Sequence, residues 1–210
     1  MELRLIVELL CCFLIGSIPF AVLAMRGTGI DILNTGSRNP GFNNVLRYSK
    51  SRAIITLIGD FGKGMLAVWM FHDLSKDISL GWMYGAATVV GHCYSPFLKF
   101  RGGKGIATSG GVMLMLYPFW AAICLAVFAI VRVTGSKRKW LEAGTIASLT
   151  TWLLFTFLML VFAGRQDALY AALMSLFVAW RHKSNFKLML AAAGARRQRP
   201  ERQMSTTSSA

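Results

Sequence analysis

Long apolar runs recur along this chain, separated by short segments that are rich in arginine and lysine. An apolar run of about 20 residues is long enough to cross the hydrocarbon core of a bilayer as a helix. In soluble domains about a quarter of all residues are usually charged, whereas in this chain 15% are charged. The sequence therefore predicts an all-α integral membrane protein and excludes a soluble globular fold.

Five runs are predicted to be single spans: residues 5–24, 53–71, 80–98, 145–163 and 168–180. The first is predicted to be a retained helix rather than a cleaved signal peptide, because it has the length of a full span and further spans follow.

Basic residues between the spans predict their orientation. Segments 26–52, 99–104 and 132–139 are basic, whereas 72–77 and 164–167 are nearly neutral. Basic segments usually face the cytoplasm, so the chain between residues 104 and 132 must return to the side it left. Pro118 lies near the middle of this stretch, which favours a hairpin of two short helices at 106–131 over one long tilted span. The prediction is about seven transmembrane helices, with the N-terminus outside and the C-terminus in the cytoplasm.

The chain is predicted to form one transmembrane domain, residues 1–190, followed by a basic, Ser/Thr-rich cytoplasmic tail at 191–210. The tail lacks apolar periodicity from about Gly194 and is expected to be disordered. The 23 Lys and Arg residues outnumber the 9 Asp and Glu residues, for a formal net charge of +14. On a membrane protein this excess favours anionic lipid headgroups or phosphorylated substrates over nucleic acid. The four cysteines, all in apolar runs, are interpreted as buried hydrophobes.

The basic segment at 36–47 combines side-chain amides, a hydroxyl and arginines within twelve residues. These groups suit a small polyol phosphate, since amides and hydroxyls can bind its hydroxyls and arginine its phosphate. An ordinary loop is the alternative interpretation, because glycine, asparagine and proline are common in turns. The candidate binding residues here are Gly36, Ser37, Asn39, Asn44 and Arg47.

A second basic segment places Gly102, Gly103 and Gly105 around Lys104, directly before a predicted helix. Glycines allow backbone N–H groups to approach an anion, and the positive end of a helix adds to the lysine charge. The segment is not a Walker loop, because Gly105 replaces the Ser or Thr that would bind Mg²⁺. A flexible surface turn is the alternative, but the position before a helix favours phosphate binding, with Thr108 one turn further along.

Other polar residues have simpler alternatives. His182 and Asn185 can share a helix face towards an anion, yet a basic flank is common at the end of any span. Asp60 and Lys63, within a predicted span, are candidates that can instead neutralise each other. His92 is equally well explained as a structural histidine. His72 and Asp77 have an acyltransferase-like spacing but lie in a loop predicted to be outside.

Taken together, these segments resemble the bacterial acyl-phosphate-dependent glycerol-3-phosphate acyltransferase family. The resemblance covers about residues 10–190. It rests on Gly16 to Phe20, on Gly36, Ser37, Asn39, Gly41 and Asn44 to Arg47, on Asp60, Lys63 and Gly64, on Gly91, His92 and Phe100 to Thr108, and on Arg181, His182 and Asn185.

The resemblance implies transfer of a fatty acyl group from acyl phosphate to the 1-hydroxyl of glycerol 3-phosphate. The products would be 1-acylglycerol 3-phosphate (lysophosphatidate) and phosphate, in the first step of phospholipid synthesis at the bacterial inner membrane. It implies no cofactor, no metal and no nucleic-acid partner, but a functional link to an enzyme that forms acyl phosphate. Lys104 would hold one phosphate and Arg47 with His182 the other, while Ser37, Asn44 and Asn185 would orient hydroxyl and carbonyl groups.

The chain departs from the family pattern at Phe42 and Asn43, and more seriously at Glu142, which stands where the family has a serine. A carboxylate beside two phosphates is unfavourable unless it is compensated. A relative with another acyl acceptor or weak activity is therefore an alternative, as is pairing of Glu142 with the cations at 137–139, outside the site. A non-enzymatic anion or phospholipid carrier, and a metal-dependent head-group transferase, are disfavoured because few polar residues cross the membrane and no carboxylate cluster exists.

Overall fold

The computed structural model describes residues 2–73 and 77–207, and the side chains through residue 195. Within these residues the chain is helical, without β-strands. The helices are α1 (Glu2–Ser17), α2 (Phe20–Met25), α3 (Phe42–Val45), α4 (Lys50–Phe71), α5 (Ile78–Cys93), α6 (Ile106–Leu116), α7 (Pro118–Lys137), α8 (Ala143–Phe162), α9 (Arg165–Arg181) and α10 (Lys183–Thr207).

Four segments are long and apolar enough to cross a bilayer: Glu2–Met25, which joins α1 and α2, and helices α4, α7 and α8. Helices α5 and α9 have 16 and 17 residues, and α6 has 11. The all-helical membrane architecture is as predicted, while the number of crossings and the orientation stay predictions. The third predicted span is shorter than expected, since Pro96 begins a 3-10 turn after α5 has ended at Cys93.

Pro118 separates helix α6 from helix α7, in the stretch where the sequence predicts a hairpin. Its ring is favourable at the first position of α7, because the N–H that proline lacks has no partner there. The prediction of two short halves holds only for α6. Helix α7 has 20 residues and continues to Lys137, a rise of about 30 Å, because no further proline intervenes before the left-handed Lys139.

Glycines let two pairs of helices pack in close contact. A Cβ added at Gly16 in α1 would lie 2.0 Å from the carbonyl oxygen of Thr88 in α5. A Cβ at Gly64 in α4 would lie 2.1 Å from the carbonyl oxygen of Thr108 in α6. Small residues at such crossings bring backbones together in membrane bundles. The first contact holds α5 against α1, and the second holds α6 against α4. Together they fix the end of α5 and the start of α6, which are joined by the loop around Lys104, here called the glycine-rich loop.

A buried aspartate anchors the opposite end of α5. Asp167 in α9 accepts hydrogen bonds from Trp82 Nε1 at 3.1 Å and from the Tyr117 hydroxyl at 2.5 Å. Nearby, the Asp77 side chain caps α5 by accepting from the Ser79 N–H at 2.9 Å. A buried carboxylate needs such donors to offset its desolvation.

Helix α10 runs through most of the segment for which the sequence predicts disorder. Its backbone is helical to Thr207, whereas residues 208–210 lie outside the described residues. Pro200, which has no backbone N–H to donate, lies within this stretch, and the disorder of the tail stays a prediction. The division of the chain at residue 190 stays a prediction.

Candidate active site

Polar side chains from distant parts of the sequence meet at one end of the bundle. They come from the loop between α5 and α6, the turn between α7 and α8, and the junction of α9 with α10. We call the cluster of Lys104, Glu142, His182 and Asn185 the cationic site. All four lie within or next to the segments that the sequence singles out.

Arg181 fixes the glycine-rich loop from the end of α9. Its guanidinium donates to the carbonyl oxygens of Gly103 at 2.8 Å and of Gly102 and Cys93 at 3.3 Å. It also stacks 4.8 Å from the centre of the Tyr94 ring. Sequence patterns alone assign Arg181 no role in the site. Its position directly before His182 was the available signal, but a basic residue at a span end is usually explained by the membrane surface alone.

The glycine N–H groups do not form the cradle that the sequence predicts. Gly102 N–H donates to the Cys93 carbonyl and Gly103 N–H to the His92 carbonyl, both at 3.1 Å. These bonds satisfy the last carbonyls of α5, which have no partner within the helix. The groups of this loop that could bind an anion are therefore Lys104 and the N-terminus of α6. Gly105, at a φ of 85°, directly precedes that N-terminus.

Lys104 lies in a chain of hydrogen bonds across the cationic site. Its ammonium donates to Asn185 Oδ1, and Asn185 Nδ2 donates to the Glu142 carboxylate. Burial lowers the pKa of Lys104, and the Glu142 charge partly opposes that shift. Glu142 thus lies inside the site, and its partners are Asn185 and Thr145, not the cations at 137–139.

His182 is buried beside Lys104 with one ring nitrogen committed. Its Nδ1 lies 2.8 Å from the Val178 carbonyl oxygen, so Nδ1 carries the proton of that hydrogen bond. Burial lowers the pKa of His182, which favours the neutral ring at neutral pH. In that form Nε2 carries a lone pair and can accept a hydrogen bond from a hydroxyl.

The 36–47 segment is organised by Asn44 rather than open to a ligand throughout. Asn44 Nδ2 donates to the carbonyl oxygens of Ile32 and Thr35 at 3.1 and 3.0 Å, and Oδ1 accepts from Ser37 N–H at 3.0 Å. The residue is 1% exposed, and its side chain holds the loop in shape, while its predicted role in orienting substrate groups stays a prediction. Gly36 is required here, because a Cβ would lie 2.3 Å from Asn44 Oδ1.

Other predicted residues are placed differently. Ser37 and Arg47 are exposed and Asn39 is partly so, and none of the three hydrogen-bonds to the cationic site. Thr108 is fully buried against α4, and its hydroxyl has no hydrogen-bond partner in the described structure. Its side chain is therefore closed off from a ligand at the loop.

Asp60, Lys63 and His92 form a buried charged cluster beneath the loop. Lys63 Nζ donates to Asp60 Oδ1 and to the Ile18 carbonyl, each at 2.8 Å, and His92 Nδ1 lies 3.4 Å from Asp60 Oδ1. Gly103 packs on the His92 ring, where an added Cβ would lie 2.2 Å from Nε2. The cluster supports the loop from below.

The His72 and Asp77 pair lies at the other end of α5, about 24 Å of helix away from the loop. Asp77 is the cap of that helix. Among the described residues, no group of three or more His, Cys, Asp or Glu side chains converges to hold a metal ion.

Comparison with known proteins gives one consistent match. The family model for glycerol-3-phosphate acyltransferase matches residues 6–192. A glycerol-3-phosphate acyltransferase of Burkholderia lata is 35% identical over 200 residues, covering 92% of this chain and 91% of that protein. One of Methylobacillus flagellatus is 35% identical over 193 residues, covering 88% and 92%. The crystal structure of PlsY (YgiH), an integral membrane glycerol 3-phosphate acyltransferase, in its glycerol 3-phosphate form superposes with a TM-score of 0.78 at 27% identity, covering 90% of this chain and 93% of that chain.

Proposed function

This chain belongs to the glycerol-3-phosphate acyltransferase family, and we propose that it transfers a fatty acyl group from acyl phosphate to the 1-hydroxyl of glycerol 3-phosphate. The products are 1-acylglycerol 3-phosphate and inorganic phosphate. The observation that carries the proposal is the partly buried Lys104, placed at the start of α6 between Asn185 and the glycine-rich loop. It offers a positive charge to a phosphate at the end of a membrane bundle.

The reaction needs positioning more than activation. Acyl phosphate is a mixed anhydride, so the hydroxyl oxygen attacks its carbonyl carbon, the bond from that carbon to the phosphate oxygen breaks, and phosphate leaves. The hydroxyl proton passes to the leaving phosphate. Two anionic substrates must be brought together, which costs free energy that Lys104 and the N-terminus of α6 offset by electrostatic stabilisation.

Three further candidates have roles consistent with this chemistry. The neutral His182 accepts a hydrogen bond from the acceptor hydroxyl at Nε2. Arg47 and Ser37 reach the acceptor from the 36–47 loop when substrate is bound. No residue has to be oxidised, and no cofactor supplies the acyl group.

A site at the cytoplasmic membrane surface suits one water-soluble and one membrane-resident substrate. We propose that the protein crosses the bacterial inner membrane about seven times, with the N-terminus outside and the C-terminus in the cytoplasm. It would receive its donor from an enzyme that forms acyl phosphate, and pass its product into the surrounding lipid. An anion carrier is less well supported, because Lys63 bonds to Asp60 and to the Ile18 carbonyl instead of lining a path.

A second candidate is a relative with another acyl acceptor. Glu142 favours it, since a carboxylate that bonds to Asn185 adds negative charge where a phosphate would bind. Both candidates share the donor and differ only in the acceptor.

The test is an assay of purified protein with palmitoyl phosphate, palmitoyl-coenzyme A or palmitoyl-acyl carrier protein as donor. Each donor is combined with glycerol 3-phosphate, glycerol or dihydroxyacetone phosphate, and mass spectrometry identifies the product. We expect 1-palmitoylglycerol 3-phosphate from palmitoyl phosphate alone. Transfer from the thioesters but not from palmitoyl phosphate would contradict the proposed donor, and transfer to another acceptor would support the second candidate.

A further inference from the structure

Glu142 is held in place from two directions within the cationic site. Its Oε2 accepts a hydrogen bond from the Thr145 hydroxyl at 3.1 Å and another from Asn185 Nδ2. Its backbone has a φ of 60° and a ψ of 38°, in the left-handed region that non-glycine residues seldom occupy. The bonds and the backbone conformation together place the carboxylate against the start of α10.

The same asparagine connects Glu142 to Lys104. Asn185 is 7% exposed, with its Oδ1 bonded to the Lys104 ammonium and its Nδ2 to Glu142. Both ends of the Asn185 amide are thus engaged within the protein. A phosphate needs N–H donors and a cation, which are the groups that this carboxylate already contacts or faces.

We propose that Glu142 determines acceptor specificity by competing with the acceptor's phosphate for Lys104 and Asn185. An anionic acceptor has to displace the carboxylate from Asn185 or bind beside a like charge, whereas a neutral acceptor does neither. The inference rests on the proposed function, since it concerns the same site, and it names the charge of the acceptor as the property that the site discriminates.

The test variant is Glu142→Gln, which keeps an oxygen to accept the Asn185 and Thr145 hydrogen bonds but removes the charge. The control is Asp77→Asn, which makes the same charge change at the opposite end of α5 and preserves a capping side chain. KM and kcat are measured with palmitoyl phosphate and either glycerol 3-phosphate or glycerol as acceptor.

We expect Glu142→Gln to lower KM for glycerol 3-phosphate about tenfold, equivalent to about 1.4 kcal/mol. Its kcat should stay within about threefold, and KM for glycerol should not change. Asp77→Asn should match wild type with both acceptors. An unchanged KM for glycerol 3-phosphate would overturn the inference. So would a kcat loss of more than tenfold at unchanged KM, because that result assigns Glu142 to proton transfer.

A binding measurement separates this inference from the proposed function. Calorimetric titration of purified protein with glycerol 3-phosphate, without donor, should give a Kd about tenfold lower for Glu142→Gln than for wild type. If wild type transfers no acyl group but the variant binds more tightly, the proposed reaction fails and the role of Glu142 stands. If transfer occurs and Kd is equal, the role of Glu142 fails alone. Should Glu142→Gln not fold, Glu142→Ser provides the same comparison without the charge.

Discussion

Among single residues, Lys104 is the one on which the proposed chemistry depends most. It is partly buried, and its ammonium bonds to Asn185 rather than directly to a carboxylate, so a phosphate can contact the ammonium in competition with the nearby charge of Glu142. A hydrogen bond from a charged donor contributes more than a neutral one, about 1.5–3 kcal/mol. Burial strengthens this effect but also makes the charged form less favourable.

Lys104→Ala should therefore reduce kcat/KM for glycerol 3-phosphate by at least about 100-fold while the protein remains folded. Lys99→Ala is the matched control, because Lys99 is an exposed lysine of the same loop and should retain activity. Thermal unfolding of both variants checks their folding. Wild-type turnover by a folded Lys104→Ala variant would contradict the phosphate site.

The lowered pKa of Lys104 predicts an alkaline limit to activity. Phosphate binding needs the protonated ammonium, so kcat/KM should fall as pH rises through a pKa below the ordinary value of 10.5. Lys104→Arg should be less active, because the guanidinium has another shape, but its residual activity should lack this limb. The measurement is a pH profile of kcat/KM from pH 7 to 10.5, and an identical limb in the variant would assign it to another group.

At the scale of elements, the glycine-rich loop owes its position to its surroundings. Arg181 bonds to its carbonyls, the end of α5 accepts its N–H groups, and the ring of His92 lies under Gly103. These contacts restrict the loop to one backbone conformation, although its three glycines would otherwise make it flexible. The backbone of Lys104 is consequently held in place, so that its side chain can hydrogen-bond to Asn185.

Gly103→Ala tests this support. An added methyl group would meet the His92 ring and force the loop or the ring to move, at a cost of about 1–3 kcal/mol. We expect a lower melting temperature and at least a tenfold loss of kcat. Gly62→Ala in α4 is the control, since an added Cβ there has no neighbour within 4 Å. It should leave kcat unchanged and should not lower the melting temperature, because alanine is the better helix former. A Gly103→Ala enzyme with normal kcat would show that the loop tolerates displacement.

The elements were easier to predict from sequence than the site. Apolar runs and Pro118 indicate helices and their break, because a helix in lipid must satisfy its own backbone. The inward turn of Asn44 depends instead on the fold of residues 32–37, and the contact of Glu142 with Asn185 joins residues 43 positions apart. Neither contact produces a periodic pattern in the local sequence from which it could be predicted. The sequence therefore identified these residues as candidates without showing what each one contacts.

At the scale of the whole molecule, the polar residues at the two ends of the bundle have different roles. One end collects Lys104, Glu142, His182 and Asn185. The other holds Asp167 between Trp82 and Tyr117 and caps α5 with Asp77. Polar residues at the second end stabilise helix ends and do not take part in the proposed reaction.

His72→Ala should consequently retain wild-type kcat/KM per folded molecule, within about threefold. The imidazole is buried and its Nε2 has no hydrogen-bond partner in the described structure, so its removal can alter stability but not substrate binding. Activity is normalised to folded protein by size-exclusion chromatography. A folded but inactive His72→Ala variant would place catalysis at this end of the bundle and require another acyltransferase mechanism.

The clamp that Arg181 places on the loop also bears on how the protein is made. The ribosome synthesises the glycine-rich loop with Lys104 long before it reaches Arg181. The hydrogen bond from Arg181 to the Gly103 carbonyl can form only after α9 has been synthesised and packed. A nascent chain that stops short of α9 has the glycines and the lysine but lacks the hydrogen bonds that Arg181 donates to the loop. We therefore expect catalytic competence to arise late in biosynthesis, once α9 has packed into the bundle, and partial chains in the membrane to transfer no acyl group.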